Sequence, residues 1–169
     1  IMGYSTNFSG KIQLNKKLSD AHFAYLEKFA ETRRMKRNPT IAEELPDPIR
    51  TATGLPIGVE GGYFVGGLSY GGQAEDRSVT NNNVEPEGQP GLWCQWIPGH
   101  EEEEEVSYIE WDGGEKFYNY VEWLEYIIEH FLKPWGYVAN GEIIWQGEEM
   151  RDRGKIIVNK NKVKTKDLE

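Results

Sequence analysis

At 169 residues the chain has the length of one ordinary domain. Its net charge of −9 argues against sequence-independent DNA binding, which requires that phosphates be neutralised. A single cysteine, Cys94, excludes an internal disulfide and a thiolate zinc site.

The charge is unevenly spread. Residues 51–150 hold three Lys/Arg against nineteen Asp/Glu, while residues 1–50 and 151–169 are mildly basic. An acidic middle of this kind suits a basic protein partner, or a surface that imitates nucleic acid. No secretory leader is evident, and no apolar run approaches the roughly 20 residues of a membrane helix. The cytoplasm is the expected compartment. Ile1 ahead of Met2, and Leu168-Glu169, read as additions and carry no argument.

Phe8, Ile12 and Leu14 alternate with polar residues and predict a first strand. Ser19 is an N-cap candidate for a helix whose stripe is Phe23, Leu26, Phe29 and Ala30. That helix is expected to run into Arg33, Arg34, Lys36 and Arg37, with Asn38-Pro39 ending it. Four prolines between 38 and 60 mark an irregular connection, with a short helix near Ile41 to Leu45. Residues 62–66 predict a Gly-rich strand, 71–90 a loop and 92–97 a strong strand. With a strand over 106–111, residues 91–111 form a hairpin whose tip is the five glutamates at 101–105.

The clearest predicted element is a second helix. Asp112 and Glu115 have capping-box spacing, and Phe117, Tyr120, Val121, Leu124, Ile127, Ile128, Phe131 and Leu132 follow helical periodicity. Asn140-Gly141 predicts a two-residue hairpin turn, and Ile156 to Val158 a last strand. The expected order is β-α-β-β-β-α-β-β. This is an α+β fold with a mainly antiparallel sheet of about six strands and the two main helices on one face. Residues 2–159 read as a single domain and 160–169 as a loose basic tail.

Catalytic patterns are poor. Gly67-Leu68-Ser69-Tyr70-Gly71 matches a hydrolase nucleophile elbow, but loop rather than helix follows it. Cys94 reads as a buried thiol, and His22, His100 and His130 never pair at ligand spacing. No catalytic residue, metal or cofactor is assigned. Two features stand out. Arg33, Arg34, Lys36 and Arg37 are more cations than a helix end requires, and arginine grips phosphate bidentately. Trp93, Trp96 and Trp111 lie on neighbouring predicted strands, so one sheet face would offer an indole for stacking a base, unless a second layer or a second copy covers it.

Several strings occur together: residues 2–10, Glu31-Thr32-Arg33-Arg34-Met35-Lys36-Arg37, Gly61-Gly62-Tyr63-Phe64-Val65-Gly66-Gly67, Gly91-Leu92-Trp93-Cys94-Gln95-Trp96, and Trp111-Asp112-Gly113-Gly114-Glu115-Lys116-Phe117-Tyr118. With Pro134-Trp135-Gly136-Tyr137, they make the chain resemble, over nearly its whole length, an uncharacterised family encoded by tailed bacteriophages. The glutamates at 101–105 depart from that likeness. The resemblance implies phage origin and a non-structural accessory role, with no activity or site residue to carry over.

Two functions are therefore expected. In the first, a non-catalytic counter-defence protein sequesters a nucleotide-derived host immune signal in the host cytoplasm. Arg33, Arg34 and Arg37 would hold phosphate, Trp93 or Trp111 would stack a base, and Gln95 would read its edge. Glu115 and Lys116 would flank an anion-attracting helix start. A homodimer or higher homo-oligomer would cover the second sheet face. In the alternative, the acidic middle binds and inhibits a basic host protein. Neither involves direct DNA binding or a membrane.

Overall fold

The computed structural model describes residues 3–168; Ile1, Met2 and Glu169 lie outside the described residues. The protein is α+β, with a six-stranded antiparallel sheet and, among the described residues, four α-helices. Backbone contacts divide the chain into two compact units where one domain is expected from its length. The sheet unit runs through Leu18 and resumes at Gln95; the second unit is Ser19–Cys94.

The sheet unit contains β1 (Thr6–Leu14), β4 (Trp96–Glu101), β5 (Val106–Trp111), α4 (Tyr120–Ile127), β6 (Ala139–Gly147), β7 (Arg153–Asn159) and β8 (Lys162–Asp167). The second unit contains α1 (Asp20–Glu31), β2 (Lys36–Arg37), α2 (Pro39–Glu44), α3 (Pro48–Ala52) and β3 (Val79–Asn81). The sheet order is β4-β5-β1-β6-β7-β8. β1 therefore sits in the middle of the sheet, paired with β5 on one side and β6 on the other.

Alternation decides which face of the sheet is buried. Ile12, Leu14, Trp96, Ile109, Ile143, Trp145, Ile156 and Val158 point to one side and are buried. Against them lie Trp123, Leu124 and Ile127 of α4 and Ile128, Phe131 and Leu132 of the π-helical turn that continues it. Phe8 anchors an aromatic cluster here, with ring centroids 4.9–5.8 Å from Trp96, Trp111, Phe117 and Tyr120, all edge-on. That geometry suits ring quadrupoles better than face-to-face stacking.

Several elements differ from their sequence expectation. α1 has its expected cap, with Ser19 accepting from the His22 amide, but ends at Glu31, so Arg33 and Arg34 lie beyond it in irregular chain and Arg37 in β2. Residues 62–66 form no strand; they follow a single 3-10 turn (Val59–Gly61). The strong strand begins at Trp96, four residues later than expected, and its hairpin with β5 keeps the acidic tip. α4 begins at Tyr120 rather than near Asp112, because Phe117 is drawn into the aromatic cluster and Lys116 and Asn119 take left-handed backbone (φ 56° each). The Asp112 carboxylate instead accepts from the Gly114 amide in a local turn.

Asn140-Gly141 makes no turn. It lies inside β6, where Gly141 pairs with Ile12 of β1 and Val158 of β7. A Cβ at Gly141 would stand 2.7 Å from the Lys11 carbonyl oxygen, so the glycine serves strand approach. The hairpin turn is Lys160-Asn161 (φ 48° and 69°), the geometry that suits the twist of the flanking strands. The expected loose tail is thus strand β8, paired with β7 from Asn159↔Lys162 to Gly154↔Asp167. Its lysines suit an edge strand, where repeated charge discourages further pairing.

Asn161 ties this turn down by accepting from the Ala139 amide and donating to the Tyr137 carbonyl. Asn161→Val should cost about 2 kcal/mol, since a β-branched residue is strained at φ 69° and both bonds go. Asn161→Gly, which accepts that φ, should cost less; equal losses in urea unfolding would contradict this account.

Candidate functional site

The expected ligand residues fall into two groups. Arg33, Arg34, Arg37 and Trp93 belong to the second unit, and Gln95, Trp111, Glu115 and Lys116 to the sheet unit.

Arg34 is an internal strut rather than a ligand group. It is 2% exposed. Its guanidinium donates to the Gly62 carbonyl at 2.6 Å, the Phe64 carbonyl at 3.0 Å and Gln89 Oε1 at 3.2 Å, and lies over the Phe29 ring. Gln89 Nε2 donates to the same Gly62 carbonyl. The backbone at Arg34 is also held, its amide donating to the Leu92 carbonyl.

Arg37 is likewise buried. It donates to Ser78 Oγ at 2.8 Å, stands 3.6 Å from Asp76 and lies over the Phe64 ring. Burial, aided by neighbouring Arg34, pushes its pKa down to about 10 against the pull of Asp76 and Asp47, so it stays charged at neutral pH. Arg33 is the more accessible, yet its Nε donates to the Asn82 carbonyl and its Nη2 to Asn83 Oδ1. The close passage of the chain by Arg37 accounts for the glycine at 61. At Gly61 (φ 73°) a Cβ would sit 2.8 Å from the Arg37 Cβ. The chain comes this close to Arg37 just ahead of the Gly62 carbonyl that Arg34 holds.

The sheet-unit group does come together. Trp111 Nε1 donates to Gln95 Oε1 at 3.2 Å, and Gln95 Nε2 donates to the Glu115 carbonyl at 2.9 Å. The Lys116 amide donates to Ser5 Oγ. Gln95 thus uses both ends of its carboxamide to clamp the 112–116 loop onto the sheet. Trp111 is half-buried with its ring edge on Phe8. Partial burial raises the Asp112 carboxyl above its ordinary value, opposed by the Gly114 amide. Trp93 is half-buried and engaged in contacts of its own, while Cys94 and Trp96 are buried.

Ser69 is exposed ahead of a 3-10 segment (Tyr70–Glu75), and among the described residues no strand leads directly into it to build the strained elbow a serine nucleophile needs. Among the described residues no group of His, Cys, Asp and Glu is placed to hold a metal ion. A depression of about 240 Å³ lies between α4 and β8, lined by Glu125, Glu129, Asn161, Lys162 and Val163. Another, of about 290 Å³, lies along residues 79–82 with Ala74. None of the expected ligand residues lines either one.

Outward acid is concentrated at one hairpin tip and along one helix. Glu102, Glu103, Glu104 and Glu105 are exposed at the tip of the β4–β5 hairpin. Glu101, just inside it, pairs with Lys11, whose ammonium lies over the Tyr108 ring. Gln13 Nε2 donates to Glu104 at 3.3 Å. Glu122 and Glu125 of α4 and Glu129 of the π-helical turn that continues it are exposed. Among the described residues no helix is long and apolar enough to cross a membrane.

No protein family, curated protein or solved structure matches the chain.

Removing the Arg34 guanidinium would take the donor from the Phe64 carbonyl and Gln89 Oε1, and one of two donors from the Gly62 carbonyl. Arg34→Met should destabilise the protein by about 3 kcal/mol, read in chemical denaturation. A stability change under about 0.5 kcal/mol, the size of an ordinary surface substitution, would contradict the structural role.

Proposed function

We propose that the protein is a non-catalytic phage accessory protein that acts in the host cytoplasm, as a counter-defence factor, by presenting an acidic, nucleic-acid-like surface to a basic host protein. The observation that carries this reading is the β4–β5 hairpin. A continuous ladder from Trp96↔Trp111 to Glu101↔Val106 holds four exposed glutamates at its tip. Like charges so close repel one another and cost stability, and a cationic partner relieves that cost. The ladder orders the loop in advance, so less conformational entropy is lost on binding. Charge of one sign at a protruding tip also steers an oppositely charged partner during encounter.

Sequestration of a nucleotide-derived signal draws less support. Two of the three guanidinium groups it calls on are spent on Gly62, Phe64, Gln89, Ser78 and Asp76, and Gln95 is committed to Trp111 and Glu115.

The test is capture of host protein from lysate on immobilised wild type and on a variant with serine at Glu102, Glu103, Glu104 and Glu105. A basic protein should be retained at low salt, released by about 0.5 M NaCl, and retained at least about tenfold less by the variant. The tip is exposed and its like-charge repulsion is relieved, so the melting temperature should hold or rise. Undiminished capture by the variant would refute the proposal, as would a nucleotide, rather than a protein, found bound in native mass spectra of material from infected cells.

A further inference from the structure

We infer that the outward face of the six-stranded sheet is the seat of a second copy of this chain, docked about a two-fold axis that runs parallel to the strands. This goes beyond the proposed partner and concerns what the protein does alone.

The face is the one opposite α4. Register places Ile97, Gly99 and Glu101 of β4 on it, with Tyr108 and Glu110 of β5, Lys11 and Gln13 of β1, Glu142 and Ile144 of β6, and Ile157 and Lys155 of β7. Lys162, Lys164 and Lys166 of β8 complete it. Ile144 is 40% exposed. Ile97, Tyr108 and Ile157 are half-buried, so the face mixes apolar patches with charge.

The charge reverses across the face. On the β4–β5 side lie Glu101, Glu110 and the four tip glutamates, offset by Lys11. On the β7–β8 side lie Arg153, Lys155, Lys162, Lys164 and Lys166, offset by Glu142. The two hairpin tips also share one end of the sheet. Gln13 of β1 pairs with both Tyr108 and Asn140, its amide reaches Glu104, and the Asn140 carboxamide accepts from the Lys160 amide. A two-fold axis along the strands therefore lays the acidic tip of each copy over the lysine-bearing tip of the other. An axis across the strands would instead set like charges face to face.

The edges themselves are poor docking sites. β8 is lysine-rich, and β4 carries Pro98, which has no amide to donate. The face spans about 24 Å by 20 Å, roughly 500 Å² in projection. That is short of the roughly 800 Å² per partner of a standard interface, so charge must carry much of the association, and it will be salt-labile.

The experiment uses light scattering and native mass spectrometry on three proteins. The wild type should show twice the chain mass at low salt and the single mass at high salt. Lys162→Glu, Lys164→Glu, Lys166→Glu makes both sides acidic; lysine at Glu102, Glu103, Glu104 and Glu105 makes both basic. Each variant alone should be monomeric, and an equimolar mixture should form a heterodimer. Ile144→Arg, at the centre of the face, should also yield monomer. A monomeric wild type at low salt overturns the inference, as does a dimer indifferent to these changes or a mixture that fails to associate. The β8 variant keeps its acidic tip, so losing the dimer while retaining capture of a basic host protein separates this inference from the proposed function.

Discussion

Two buried guanidinium groups organise the second unit. A bare cation in an apolar interior is very costly, and it is tolerated only where acceptors surround it. Arg34 obtains two carbonyls from the glycine-rich segment and the side chain of Gln89, and Arg37 obtains Ser78 with Asp76 nearby. Both lie on aromatic rings, Phe29 and Phe64. A unit with so little regular structure needs such internal ties, because its loop carbonyls have no ladder to satisfy them. The glycine at 61 and the turn at Ser78 follow from that demand.

The sheet unit solves the same problem conventionally. Its backbone groups are paired in a six-stranded ladder, and one face is closed by α4 and an aromatic cluster centred on Phe8. Closing one face leaves the other to be explained. Its isoleucines sit among charges whose sign changes from one edge to the other. Such a surface discriminates against random association while accepting a partner of matched pattern.

These arrangements together shift the functional weight from cation to acid. Arginines that look available for phosphate in the sequence are withdrawn into the interior, and the outward charge that remains is dominated by glutamate. A basic protein and a second copy of the chain both answer that chemistry, and both would engage the same hairpin. The competition between them would link self-association to target binding.

The sequence by itself determined the antiparallel α+β class, the Ser19 cap, the strand at β1, the acidic hairpin tip and the helical periodicity through Leu132. These are local signals: alternation, helical spacing and capping act between residues close in the chain. Where the helix starts, where the turn lies and what the arginines do depended on partners far away in sequence. Phe117 leaves the helix for Phe8, and Asn140-Gly141 is straightened between β1 and β7 while Lys160-Asn161 turns instead. Arg34 lies 28 residues from Gly62, whose carbonyl it holds. A guanidinium in sequence looks the same whether it faces water or carbonyl oxygens, and only tertiary packing decides which solvates it.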